Sequence, residues 1–164
     1  MIHDDDYTKN LSLVKRLTDN SLTISCAESL TGGLLCASFV EVPGASLCVR
    51  GGVVTYTNEM KINILGVPRE YIDRTGPVDR NVAIAMARKA REMFHSDYAL
   101  ATTGVAGPGS ADGYEAGTVW IGFASDDDVT AYLFKTDGER EDIIKKTVER
   151  AHEILDTYMR IHGI

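Results

Sequence analysis

Four stretches of this chain combine residue types and spacings that can do chemistry. The first is Ala27-Glu28-Ser29-Leu30-Thr31-Gly32-Gly33. It falls between a strand-like and a helix-like stretch, which puts Ser29 at the C-terminal edge of a sheet, where open α/β folds bind ligands. The amides around Thr31, Gly32 and Gly33 then point out of a helix N-terminus, a place that suits a phosphate or a developing oxyanion. A serine just before a helix is most often its N-cap, so this stretch alone leaves cap and nucleophile both open. The second stretch is Tyr56-Thr57-Asn58-Glu59-Met60-Lys61. Tyr56 ends a strand and Lys61 falls in the first turns of a helix, flanked by Met60 and Ile62, with Leu65 on its face. A lysine partly desolvated in that way loses its charge near neutral pH. It can then take a proton from a serine, directly or through a tyrosine hydroxyl. A solvated lysine beside a packed tyrosine fits the same residues.

The third stretch, Thr102-Thr103-Gly104-Val105-Ala106-Gly107-Pro108-Gly109-Ser110, follows a strand and lets backbone approach a ligand closely. It is not a P-loop, because Ser110 stands where the lysine of GxxxxGK belongs. Its glycines read G-x-x-G-x-G, so it is not GxGxxG either. An ordinary surface loop would have the same spacing. The fourth is Asp137-Gly138-Glu139-Arg140, opening the last helix. Arg140 there adds a fork donor to free amides and suits a phosphate; pairing with Asp137 or Glu141 is the plainer alternative. No metal site is visible, since His3, His95, His152 and His162 lack ligand spacing. Nor is there a Ser-His-Asp or Cys-His arrangement, so a base for Ser29 is to be sought outside histidine.

The elements that must position these residues alternate. Helical spacing covers residues 8–20, and a strand runs from Leu22 to Cys26. A helix from Thr31 to Val40 stops before Pro43-Gly44. Val49 to Thr57 is a strand, bulged at Gly51-Gly52. Asn58 can cap a helix to Leu65, and Asp79 a second one with Val82, Ala83, Met86, Ala90 and Met93 on its apolar face. Tyr98–Thr102 is a strand. Thr118–Ala124 and Val129–Phe134 form a hairpin through residues 125–128. The last helix starts near Asp137. The order αβαβααβ–ββα predicts an α/β protein, a mixed sheet covered by helices on both faces.

The whole chain is consistent with that fold. Its 164 residues suit one domain, residues 1–164, and 44% hydrophobic with 25% charged residues excludes disorder. The net charge of −7 and the lack of a basic stripe argue against duplex nucleic acid as a partner. No apolar run approaches the roughly 18 residues of a membrane span, and the acidic start, with Asp4–Asp6 read as a solvated run, lacks a signal peptide's apolar segment. Three cysteines, Cys26, Cys36 and Cys48, without a CxxC pair read as buried free thiols of a reducing compartment. The expectation is a cytoplasmic protein.

Taken together and in order, AESLTGG (27–33), VPGAS (42–46), GGVVTYTNEMKINILGV (51–67), TGVAGPGS (103–110), GTVWIGFA (117–124) and Gly138-Glu139-Arg140 make the chain resemble the CinA C-terminal domain family. The resemblance spans roughly residues 8–158 and implies a three-layer α/β/α sandwich with a mixed, mostly parallel sheet. It implies hydrolysis of the carboxamide of nicotinamide mononucleotide (NMN) to nicotinate mononucleotide and ammonia, in pyridine nucleotide salvage. The roles it carries over are a nucleophile at Ser29 and proton carriers at Lys61 and Tyr56. Substrate-binding positions would be Glu28, Thr31, Gly32 and Gly33 in the first motif, and Asn58 in the second. Thr103, Gly104 and Gly107 would serve in the glycine loop, and Arg140 at the last helix. It implies no metal or organic cofactor, a small nucleotide as partner, and a homodimer. Three departures stand out: Leu30 replaces a cysteine, Val78-Asp79-Arg80-Asn81 replaces Val-Ser-Glu-Glu, and residues 112–116 lack a Lys-Pro. The larger N-terminal domain of fused members has no counterpart in this sequence, so its activity is not expected.

Overall fold

In the computed structural model, which describes residues 4–164, five strands form one sheet in the order β2-β1-β3-β4-β5. The strands are β1 (Ile24–Glu28), β2 (Val49–Val54), β3 (Tyr98–Gly104), β4 (Thr118–Ala124) and β5 (Val129–Lys135). Both neighbours of β1 pair parallel to it, while β3–β4 and β4–β5 are antiparallel, so β4 alone runs against the other four. This topology decides where the chemistry sits. The chain leaves β1, β2, β3 and β5 at one edge, and Ser29, Tyr56, the glycine loop and Arg140 each follow one of those ends. β1 is also where the strand order reverses, the position at which open α/β sheets bind ligands.

The helices are α1 (Asp4–Asp19), α2 (Leu34–Val40), α3 (Asn58–Asn63), α4 (Arg69–Thr75), α5 (Arg80–Phe94) and α6 (Arg140–Ile161). Two cores lie on opposite faces of the sheet. One gathers large side chains: Leu17, Leu35, Phe39, Ile143 and Leu155 against Leu100, Ile121 and Phe123. The other sets Ala87 and Ala90 of α5 on Ala27, Ala99, Ala101 and Ala124, with Leu65, Val67, Ile72, Val82 and Met86 around them. Alanine on both sides lets α5 lie close to the strands. A Cβ on Gly122 would fall 2.2 Å from the Ala83 carbonyl oxygen. The cap expected at Asp79 is present, its carboxylate accepting from the amides of Asn81 and Val82.

Some boundaries differ from the sequence reading. β1 starts and ends two residues later than read, and β3 runs on to Gly104. The β2 bulge falls at Arg50, because Ile24 pairs with Val49 and Ser25 with Gly51. Thr57, not Asn58, caps α3 by accepting from the Met60 amide, and α3 stops at Asn63. Residues 69–75 form a helix that periodicity does not reveal, since Ile72 is its one buried residue. Cys26 and Cys48 are buried but Cys36 is only half-buried; all three are free. His152 is buried, bonded to the Ser38 hydroxyl at 2.9 Å and edge-on to Phe39, a packing role. Burial lowers its pKa to about 4. His3 and the Asp4–Asp6 side chains lie outside the described residues. No described helix is long and apolar enough to cross a membrane.

Candidate active site

Ser29 extends β1 by one residue, its amide donating to the Thr102 carbonyl at 3.1 Å. The cap alternative fails at this position. α2 begins only at Leu34, and its N-cap is Gly33 at φ 103. The capping work belongs to Glu28. This carboxylate, 1% exposed, accepts from the amides of Gly33 and Leu35, both at 3.0 Å, and Cys36 at 2.8 Å. It also takes the Thr31 hydroxyl at 2.6 Å, which in turn meets Thr102 Oγ1 at 2.7 Å. A buried carboxylate bound by three helix-opening amides is satisfied in place. Of the amides expected to face a ligand, Gly33 is thus bound to Glu28, and Gly32 donates to the Ser29 carbonyl at 3.1 Å. Glu28, Thr31, Gly32 and Gly33 do not line the cavity and hold the Ser29 turn from behind.

The cavity opens beside Ser29, with a volume of about 400 Å³. Lys61 reaches into it from α3 and is 1% exposed, the one buried residue of that helix. Its Nζ lies 3.0 Å from Ser29 Oγ, 3.0 Å from the Thr55 carbonyl and 3.1 Å from the Tyr56 carbonyl. Burial lowers its pKa from 10.5 to about 8, and the Asp112 carboxylate works against that shift. A neutral amine has two N–H groups and one lone pair. The two carbonyls can accept both N–H groups, which leaves the lone pair for the Ser29 hydroxyl. That is the geometry of a serine with its base attached.

Tyr56 is brought near, but not between them. Its phenol is exposed and accepts from Arg140 Nη2 at 3.1 Å, while its backbone carbonyl faces Ser29 Oγ at 3.5 Å. Arg140 also donates to the Gly107 carbonyl, which ties the start of α6 to the glycine loop. At the start of α6, Glu139 and Asp142 form a capping box, the Glu139 amide donating to the Asp142 carboxylate at 3.0 Å. Arg140, the next residue, lines the cavity.

Asn58, Thr103, Gly104 and Gly107 line the cavity as expected, Thr103 with its hydroxyl bonded to the Pro77 carbonyl at 2.7 Å. The Ala106 and Gly107 amides donate to no backbone carbonyl among the described residues. Sequence reasoning missed Pro77 and Val78 in the wall. Asp112, also in the wall, belongs to the divergent 112–116 loop, which the sequence places at the pocket without singling out this residue. No described cluster of three or more His, Cys, Asp or Glu could hold a metal ion.

Fold and site together define a class: a doubly covered α/β sheet with a serine–lysine pair at the carboxyl edge of its first strand. The model of the CinA C-terminal domain matches residues 6–159, and the chain belongs to that family. It is 38% identical over 152 residues to a CinA-like protein of Fervidobacterium nodosum, covering 92% of this chain and 37% of that protein. To a CinA-like protein of Endomicrobium trichonymphae it is 39% identical over 140 residues, 85% of this chain and 33% of that one. The chain thus spans about a third of the length of these relatives. Among solved structures, the competence/damage inducible protein CihA from Agrobacterium tumefaciens superposes with a TM-score of 0.91 at 34% identity, covering 96% of this chain and 97% of that one. The competence damage-inducible protein A from Klebsiella pneumoniae gives 0.91 at 27% identity, over 94% and 97%.

Proposed function

We propose that the chain is a metal-free serine amidase that hydrolyses the carboxamide of NMN to nicotinate mononucleotide and ammonia. The observation that carries this reading is the buried Lys61 amine, 3.0 Å from Ser29 Oγ and with a pKa near 8. Ser29 attacks the carboxamide carbon as its proton passes directly to neutral Lys61. The resulting ammonium returns that proton to the departing nitrogen, ammonia leaves, and a Ser29 ester remains. Water, deprotonated by the same amine, hydrolyses the ester and regenerates the hydroxyl. In this scheme the oxyanion is assigned to the Ala106 and Gly107 amides, from residues that line the cavity and donate to no backbone carbonyl among the described residues. Arg140 takes the phosphate. Tyr56 positions Arg140 in this scheme and carries no proton. The reading includes a homodimer, the commonest soluble assembly.

The test is ammonia release from NMN. Wild type should release it and Ser29→Ala should not, while the variant melts within a few degrees of wild type, because only a hydroxyl is lost. Turnover retained in Ser29→Ala would sink the covalent route. Saturable NMN binding without ammonia from wild type would make the chain a nucleotide-binding module instead.

A further inference from the structure

The scheme above uses two of the three charged side chains that line the cavity. Lys61 works neutral and Arg140 is cationic; the third, Asp112, is the one carboxylate in the lining. Asp112 is held there by a built turn. Ala111 and Tyr114 exchange both of their backbone hydrogen bonds, each 2.9 Å, and the two residues between them sit at φ 52 and φ 82. This is a tight two-residue turn with Asp-Gly at the positions that need positive φ. The turn stands beside the residue before Pro77 of the wall, with Asp112 Cβ 3.9 Å from the place a Cβ on Gly76 would take. The carboxylate is exposed and has no hydrogen-bond or ion-pair partner among the described residues. Its charge nevertheless reaches the reaction centre, for Asp112 is the charge that acts on the Lys61 amine.

An unpaired anion in that place works against the reaction as described, because it favours the protonated lysine. A ligand cation beside Asp112 reverses this. It neutralises the carboxylate, and its own charge pushes the Lys61 amine towards the neutral form. The cavity then has an anion-binding end at Arg140 and a cation-binding wall at Asp112. We propose that Asp112 is a specificity residue that selects ligands whose carboxamide-bearing ring is positively charged, with the anionic group of the same ligand at Arg140. This rests on the amidase reading, which supplies the carboxamide and its place at Ser29.

The test compares NMN, whose pyridinium ring is cationic, with benzamide riboside 5′-monophosphate, which keeps the carboxamide, ribose and phosphate on a neutral ring. Affinities are measured by calorimetry in Ser29→Ala, where neither ligand is turned over. The preference for the cationic ring should be about five- to tenfold, the size of one charge pair at a partly open site. Adding Asp112→Asn should remove the preference by weakening NMN alone. Asn-Gly is as good a dipeptide for this turn as Asp-Gly, so the variant loses charge and keeps its fold. In the Ser29 background, Asp112→Asn should also move the acidic limb of kcat/KM for NMN to lower pH, an effect that loss of turn structure would not produce. Equal affinity for the two ligands, a preference that survives Asp112→Asn, or no binding of either overturns the proposal. Ammonia release from NMN by wild type, measured in parallel, separates the two failures. Release without a charge preference overturns the role of Asp112 alone, and a charge preference without release overturns the amidase reading alone.

Discussion

At the scale of single residues, the state of one amine governs the site. Lys61 can act as base only when neutral, so kcat/KM should rise with pH along a limb centred near pH 8 and level off above it. Lys61→Arg keeps a cation in place and cannot supply the lone pair. It should lose about 10²- to 10⁴-fold in kcat, the usual contribution of a general base. Wild-type turnover in that variant, measured as ammonia, would show that the base lies elsewhere. The same group acts on stability. Its folded pKa near 8 lies below an unfolded value of about 10.4. Between those limits the unfolded chain holds more protons, so this contribution improves as pH rises from about 8 to 10.4. Below pH 8 the penalty for burying the ammonium is present in full. Arg140 makes a second, separable prediction. A hydrogen bond to a charged group contributes about 1.5–3 kcal/mol, so Arg140→Ala should lower kcat/KM for NMN by roughly ten- to a hundredfold. Nicotinamide riboside, which lacks the phosphate, should be little affected. Equal losses on both substrates would make Arg140 a purely structural tie between Gly107 and Tyr56.

At the scale of elements, the contact of α5 with the sheet is the most demanding. Gly122 faces the Ala83 carbonyl so closely that Gly122→Ala must push the helix outward. Overpacking of this kind costs about 1–3 kcal/mol, and each kcal/mol lowers the melting temperature of a chain this size by about 2–4 °C. Thermal melts of the two proteins check this, and an unchanged midpoint would mean that α5 has room to spare. Much of this level was legible in the sequence. The strand hairpin of β4 and β5, the Asp79 cap and the apolar face of α5 follow from spacing and turn residues, except that Met93, read onto that face, is exposed. The first turn of α2 was not legible, because Gly32 and Gly33 adopt positive φ around the Glu28 carboxylate, a tertiary contact without periodicity. The same contact misled the site reading at Gly33, whose amide looks free in sequence and is bound by Glu28. α4 escaped because six of its seven residues are not buried. Ser29 and Lys61 were each recognisable, but 32 positions separate them, and only the order of β1 and β2 brings them within a hydrogen bond.

At the scale of the molecule, two cores share one sheet, so the chain should unfold in a single cooperative step. Fluorescence of Trp120, on β4, and far-UV ellipticity should report the same urea midpoint. Activity need not follow them. Ser29 hangs from β1, which is flanked by strands on both sides and tied to Thr102 of β3. Lys61 rides on a six-residue helix with no other buried side chain. The halves of the pair thus belong to regions that open to solvent at different free energies. Amide protons of β1 and β3 should exchange with deuterium only through global unfolding, and those of α3 through a smaller, more frequent excursion. Each such excursion carries the base away from a nucleophile that has not moved. Ammonia release should therefore fall at urea concentrations where Trp120 and the ellipticity still report a native sheet, and coincidence of all three curves would show that α3 opens only with the whole.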